Sequence, residues 1–171
     1  GKNTVCLKRS VPPEIAKKIM ALKIPGIYTF KEYKRYYPGK EALAHVVGFT
    51  NIDGEGQEGI ELYSNKLLSG IHGTRKVLKN RSGKIVDDLQ EIQIPIDGKD
   101  IKLSVDKRLQ YLSYKALEKA VEKHGALSGS SILIDAKTGE VLAMTNYPSF
   151  NPNNRKGLSR DREYVRNRVV T

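Results

Sequence analysis

The chain has 171 residues, 39% of them apolar, with 30 basic against 19 acidic residues for a net charge of +11. That apolar share is enough for a packed core and excludes an intrinsically disordered protein. The lone cysteine, Cys6, excludes an intrachain disulfide, and no run of 18 apolar residues marks a membrane-spanning helix.

From the N-terminus, Thr4 to Arg9 reads as a short strand, and Pro12 and Pro13 open a small amphipathic helix striped by Ile15, Ile19 and Leu22 and stopped by Pro25-Gly26. Gly26 to Tyr37 is expected to be extended, its tyrosines supplying β propensity between basic residues. Glu41 to Val47 predicts a short helix, and Ile60 to Leu68 another. Between them Gly54-x-Gly56-x-x-Gly59 formally satisfies a dinucleotide-binding fingerprint. Asp53, Glu55, Glu58 and Glu61 would surround a pyrophosphate with negative charge, so the glycines are expected to serve an irregular loop. Glu61, if buried, needs compensation, with Arg35 or Arg75 as the expected cation.

Thr74 to Leu78 and Ile85 to Ile96 carry strand composition around a turn at Asn80 to Gly83. Asp97-Gly98-Lys99-Asp100 is the expected domain boundary, dividing the chain into residues 1–97 and 98–171. Beyond it Ile101, Leu103 and Val105 alternate with polar residues as a half-buried strand. Asp106 then N-caps a long helix that Gly125 ends, with Leu109, Leu112, Ala116, Leu117, Ala120 and Val121 as its apolar face. Ser131 to Met144 predicts a hairpin whose apolar runs, Ile132 to Ile134 and Val141 to Met144, are buried on both faces around a turn at Gly139. The helix covers one face. The other has no apolar layer in the sequence that follows, so the polypeptide is expected to continue past Thr171 or to receive a second chain.

The charge is evenly spread: residues 1–97 carry 16 basic against 11 acidic residues and residues 98–171 carry 14 against 8. This fits a generally cationic surface, and the basic run from Arg155 to Arg168 lacks the interleaved aromatics that base stacking needs, so no nucleic acid is expected as partner. His45, His72 and His124 lie far apart with no second His or Cys at ligand spacing, so neither metal nor cofactor is expected.

Three strings mimic the elements of a penicillin-reactive serine acyltransferase: Ser104-Val105-Asp106-Lys107, Ser149-Phe150-Asn151 and Lys137-Thr138-Gly139. Such chemistry needs Ser and Lys on one face at a helix start, whereas Ser104 belongs to the alternating segment and Asp106 is the residue that opens the helix. Lys137-Thr138-Gly139 falls in a hairpin turn, and Ser149-Phe150-Asn151 in a loop before Pro152. Their order is wrong as well, so no catalytic residue is assigned.

The run Ser128-Gly129-Ser130-Ser131-Ile132-Leu133-Ile134-Asp135, then Thr138-Gly139-Glu140-Val141-Leu142-Ala143-Met144, Asn151-Pro152-Asn153 and Arg166-Asn167-Arg168 closely resembles the opening of the transpeptidase domain in class B penicillin-binding proteins. Upstream, Arg35-Tyr36-Tyr37-Pro38, Ala44 to Asn51, Gly56 to Glu61 and Leu68 to Gly73 resemble that family's non-catalytic pedestal, and Gly48-Phe49-Thr50-Asn51 with Pro148 to Asn154 is most similar to its division-specific branch. The resemblance implies an α+β fold: a small irregular pedestal domain followed by the first helix and β-hairpin of a transpeptidase domain. It implies an enzyme anchored at the periplasmic face of the inner membrane by a helix outside this sequence. Its serine would attack the D-alanyl-D-alanine end of septal peptidoglycan stem peptides, and β-lactams would acylate that same serine. The glycosyltransferase FtsW and other divisome membrane proteins are the implied partners. In that family the Ser-x-x-Lys element follows shortly after the equivalent of Val169-Val170-Thr171, so the resemblance implies that these 171 residues alone are inactive. An elongation-type member of the family and a cationic surface-binding module are the competing readings.

Overall fold

In a computed structural model of the protein, residues 4–79, 85–155 and 164–170 are described, and the chain forms two compact units, Gly1–Arg35 and Tyr36–Thr171. The first unit contains helix α1, Pro13–Ala21, begun by the proline pair as expected. An ion pair between Arg9 Nε and Glu32 Oε1 (3.0 Å) and a hydrogen bond from the Tyr28 hydroxyl to Thr4 Oγ1 (2.9 Å) join its two extended arms. Thr4 to Arg9, expected as a strand, is extended chain outside any strand.

The second unit is α+β. It runs α2 (Lys40–Val47), α3 (Gly59–Tyr63), α4 (Asn65–Leu68), β1 (Thr74–Lys79), β2 (Ile85–Gln93), α5 (Lys107–His124), β3 (Gly129–Ile134) and β4 (Val141–Tyr147). The single helix expected over Ile60 to Leu68 is two short ones, broken at Ser64. β1 and β2 pair antiparallel with three register irregularities, and the turn expected at Asn80 to Gly83 lies outside the described residues.

α5 begins and ends where local chemistry dictates. The Asp106 carboxylate accepts the backbone N–H groups of Arg108 and Leu109 (2.8 and 2.9 Å), and Gly125 takes the left-handed conformation at φ 60°. Its packing face differs in part from the expected one. Val121 is buried and Leu117 half-buried as expected, but Gln110 and Tyr114 are the other buried residues, while Leu109, Ala116 and Ala120 are exposed and Leu112 is 60% exposed. Hydrophobicity alone favoured the leucine stripe. Hydrogen bonds to β4 favour the other, because a buried strand edge presents main-chain groups that only polar side chains satisfy.

β3 and β4 form a two-stranded antiparallel sheet, with Gly139 at φ 75° in the connecting turn. Burial on both faces is found for β4 and not for β3. Ala143, Thr145 and Asn146 are all at most 1% exposed, whereas Ile132, Leu133 and Ile134 are 44%, 42% and 50% exposed. The difference follows from what lies against each strand. Thr145 Oγ1 meets Ser113 Oγ of α5 (3.2 Å) on one side of β4, while Asn146 Nδ2 donates to Asn167 Oδ1 (2.9 Å) on the other. Residues 164–170 thus cover part of the face for which the sequence offered no layer.

Ile101 to Val105 shows the expected alternation of burial without becoming a strand. It is stitched to the start of β4 at two points, Ser104 Oγ to Val141 O (2.8 Å) and Asp106 N to Leu142 O (2.9 Å).

Candidate functional site

The three motif-like strings serve the fold. Ser104 donates its hydroxyl proton to the Val141 carbonyl, and Lys107 is the first residue of α5. Lys137-Thr138-Gly139 makes the β3–β4 turn, in which Asp135 Oδ1 accepts Lys137 N and Thr138 N (2.8 and 3.1 Å) and Gly139 N donates to Asp135 O (2.8 Å). These two donors hold the Asp135 carboxyl below its ordinary range.

The third string belongs to a densely connected polar group. Ser149 Oγ donates to Glu41 O (2.7 Å), Asn151 Nδ2 donates to Glu41 Oε1 (2.9 Å), and Asn153 brackets the backbone of Tyr37, accepting its N–H (2.9 Å) and donating to its carbonyl (2.8 Å). Residues 149–153 thereby clasp the start of α2 across more than 100 positions of sequence. Gln110 closes the clasp from α5. Its Nε2 donates to Ala42 O (2.6 Å) and Met144 O (2.7 Å), and its Oε1 accepts Met144 N (2.8 Å). One amide therefore joins α2, α5 and β4.

Phe150 sits at the centre. Its ring meets His45 and Phe49 edge-on, at centroid distances of 5.4 and 5.6 Å, and Arg155 lies over the outer face of Phe49 at 4.8 Å. His45 is buried and its Nε2 lies 2.9 Å from the Tyr164 carbonyl. A carbonyl only accepts, so Nε2 carries the proton and donates. Burial pushes the His45 pKa below its ordinary 6.5, and the nearby Arg168 cation acts in the same direction, against the Tyr164 carbonyl. His72 and His124 are exposed.

The lowered pKa has a stability consequence. The unfolded chain takes up a proton on this residue as pH falls through 6.5, while the folded chain resists until its own lower pKa is reached. The His45 contribution is thus fully present above 6.5 and is lost progressively as pH falls from there to the folded value. Urea unfolding midpoints measured from pH 7.5 to 5.5 are expected to drop more steeply for the wild type than for His45→Gln.

Around Tyr37 the second buried polar group gathers. The Tyr37 hydroxyl accepts Thr50 N (3.0 Å), and burial, with the neighbouring Glu61 carboxylate, raises its pKa. Glu61 is indeed buried, at 6% exposure. Of the two cations expected to compensate it, the Arg75 side chain lies outside the described residues and Arg35 belongs to the first unit. Two of the three fingerprint-like glycines have a packing reason: a Cβ on Gly56 would overlap the Glu61 carbonyl, and one on Gly59, at φ 58°, would crowd the end of α2, whereas Gly54 faces open space and is set apart by its φ of 87°. Gly56 and Gly59 let the loop lie directly on α2 and α3, as the expectation of an irregular loop required.

Sequence reasoning placed Ser149, Phe150 and Asn151 in a loop and missed their role, together with those of Gln110, His45 and Asn153. The one available signal was the density of asparagines from Asn151 to Asn154, residues suited to bracketing backbone groups.

Comparison with known proteins places this geometry among relatives. The profile described as Penicillin-binding Protein dimerisation domain matches residues 1–103, and that of the Penicillin binding protein transpeptidase domain matches residues 129–171. The chain is 47% identical over its whole length to the probable peptidoglycan D,D-transpeptidase PbpC of Pseudomonas aeruginosa, of which it covers 30%. It is 45% identical over 98% of its length to the peptidoglycan D,D-transpeptidase FtsI of Escherichia coli K12, covering 28% of that protein. A peptidoglycan synthetase from Bifidobacterium adolescentis superposes with TM-score 0.63 at 25% identity, over 89% of this chain and 28% of that one. Penicillin binding protein 3 of Mycobacterium tuberculosis, solved also with ampicillin, superposes with TM-score 0.59 at 32% identity over 72% of this chain and 24% of its own. The chain thus spans less than a third of the length of these relatives.

Proposed function

Because the chain belongs to the penicillin-binding proteins, we propose that it is the non-catalytic foundation of a peptidoglycan D,D-transpeptidase that cross-links septal cell wall during division. In this reading residues 1–97 are pedestal and residues 98–171 lead into the transpeptidase domain; the matched spans, which end at 103 and begin at 129, support that division. The reacting serine lies in a Ser-x-x-Lys element downstream of these residues. It attacks the carbonyl of the D-alanyl-D-alanine bond, releases the terminal D-alanine, and the resulting ester passes its acyl group to the amine of a neighbouring stem peptide. A β-lactam is opened by the same serine.

The enzyme works at the periplasmic face of the inner membrane, anchored by a helix outside these residues, and meets divisome membrane proteins such as FtsW through its pedestal. Among the described residues no helix is long and apolar enough to cross a membrane. The observation that carries the reading is the clasp. Ser149 and Asn151, from one of the strings that mimic a catalytic element, and Asn153 beside them spend their polar atoms holding α2 and Tyr37. Their chemistry is attachment of pedestal to catalytic domain.

A fluorescent penicillin provides the test. The 171-residue chain is expected to remain unlabelled, and a protein extended through the downstream Ser-x-x-Lys element to label covalently. Labelling of the short chain that disappears on Ser104→Ala would replace this reading with an enzyme complete in these residues.

A further inference from the structure

We propose that His45 is a positioning residue for the acylation step: through its Nε2–H bond to the Tyr164 carbonyl, the pedestal helix α2 fixes the segment 164–170 that leads to the nucleophile. The inference rests on the transpeptidase reading above and adds to it a named route from pedestal to reacting centre.

The segment 164–170 contains no regular helix or strand, only short turns at Tyr164 and at 168–170, the latter closed by Val170 N on Asn167 O (3.2 Å), so outside contacts do much to hold its main chain. Side chains of both β4 and α2 anchor it from outside. Asn146 of β4 donates to Asn167 Oδ1 (2.9 Å), which also accepts Val169 N (3.2 Å), while Asn167 Nδ2 reaches Met144 Sδ (3.5 Å). This anchor lies within the transpeptidase portion. The His45 anchor comes from α2, 119 positions away in sequence.

The site around His45 is built to keep that donor aimed. The residue is 8% exposed, and its ring stands edge-on against Phe150, itself 4% exposed, at an interplanar angle of 82°. Phe150 is fixed by Phe49 on its other side and by the clasp at Ser149 and Asn151. The buried imidazole N–H needs an acceptor, and here that acceptor is a carbonyl of the 164–170 segment, so satisfying it also ties that segment to α2. A nucleophile must be placed to within about 1 Å for full reactivity, so a contact that fixes the approaching backbone affects the chemical step more than substrate affinity.

The measurement is penicillin acylation of the complete transpeptidase, resolved into the affinity of the first complex and the acylation rate constant. His45→Phe keeps a ring against Phe150 and removes the donor, whereas His45→Gln returns an N–H close to the position of Nε2. His45→Phe is expected to lower the acylation rate constant about tenfold with little change in affinity, and His45→Gln to restore it to within about threefold. An unchanged rate in His45→Phe, or equal losses in both variants, would overturn the inference while leaving the transpeptidase reading intact; a wild-type enzyme that fails to acylate would overturn the reading itself. Should His45→Phe not fold, Asn146→Ser removes the second anchor of the same segment. It is expected to slow acylation at unchanged affinity, and wild-type acylation in that variant would equally count against the proposal.

Discussion

Gln110→Leu is expected to lower the unfolding free energy of the Tyr36–Thr171 unit by about 3 kcal/mol or more, although the change preserves volume and adds apolar character to a buried site. Gln110 is 1% exposed and makes three hydrogen bonds, two through Nε2 and one through Oε1. Leucine would leave the Met144 N–H buried without an acceptor, a desolvation cost of about 1–3 kcal/mol. It would also take a donor from the Ala42 and Met144 carbonyls, and the gain from burying a few more apolar atoms is smaller than these combined losses. Gln110→Glu separates the causes. A carboxylate there would set an oxygen against the same two carbonyls, so it folds best protonated and its deficit should widen from pH 5 to pH 7.5. Urea midpoints of the three proteins give the answer; a Gln110→Leu midpoint equal to the wild type would mean that this amide is replaceable.

Phe150→Ala should cost about 3–5 kcal/mol, from the lost transfer energy and the cavity left between two rings. The ring is 4% exposed and packs edge-on against both His45 and Phe49. For a domain of this size such a loss lowers the melting temperature by about 10 °C. Phe150→Leu refills most of the volume and should recover about half. The effect would reach beyond the cavity, because Phe150 lies between Ser149 and Asn151, whose bonds to Glu41 depend on the loop path that the ring fixes. A thermal scan in which Phe150→Ala melts within 2–3 °C of wild type would show that the polar contacts alone hold the loop.

These two residues mark the line between what sequence reasoning reached and what it did not. The start and end of α5, the β3–β4 hairpin, and the helices beginning near Pro13 and Lys40 were all readable, because caps, prolines and turn glycines act within a few positions. The buried face of α5 was readable only in part, at Leu117 and Val121. Leu109, Leu112 and Ala116 form the more apolar stripe, yet Gln110 and Tyr114 face inward, and Gln110 meets a strand and a helix whose carbonyls need donors. Thr4 to Arg9 has strand composition yet is not a strand, because β propensity counts only where tertiary context completes a sheet. For β3 and β4 the apolar runs look alike, and only tertiary neighbours decide that Ala143 is buried while Leu133 is 42% exposed. The clasp was the least legible part. The bonds from Ser149, Asn151 and Asn153 to α2 and Tyr37 join residues 108 to 116 positions apart, and a serine or asparagine in a loop carries no mark of its distant acceptor.

The clasp also changes how one would cut and graft such a protein. Asp97 to Asp100, where composition shifts, is exposed and tempting as a splice point. What must match in a hybrid of two relatives, however, is the set formed by Tyr37 and Glu41 on one side and Ser149, Asn151 and Asn153 on the other. A pedestal transplanted without its cognate asparagines would arrive with the right outline and no fastening.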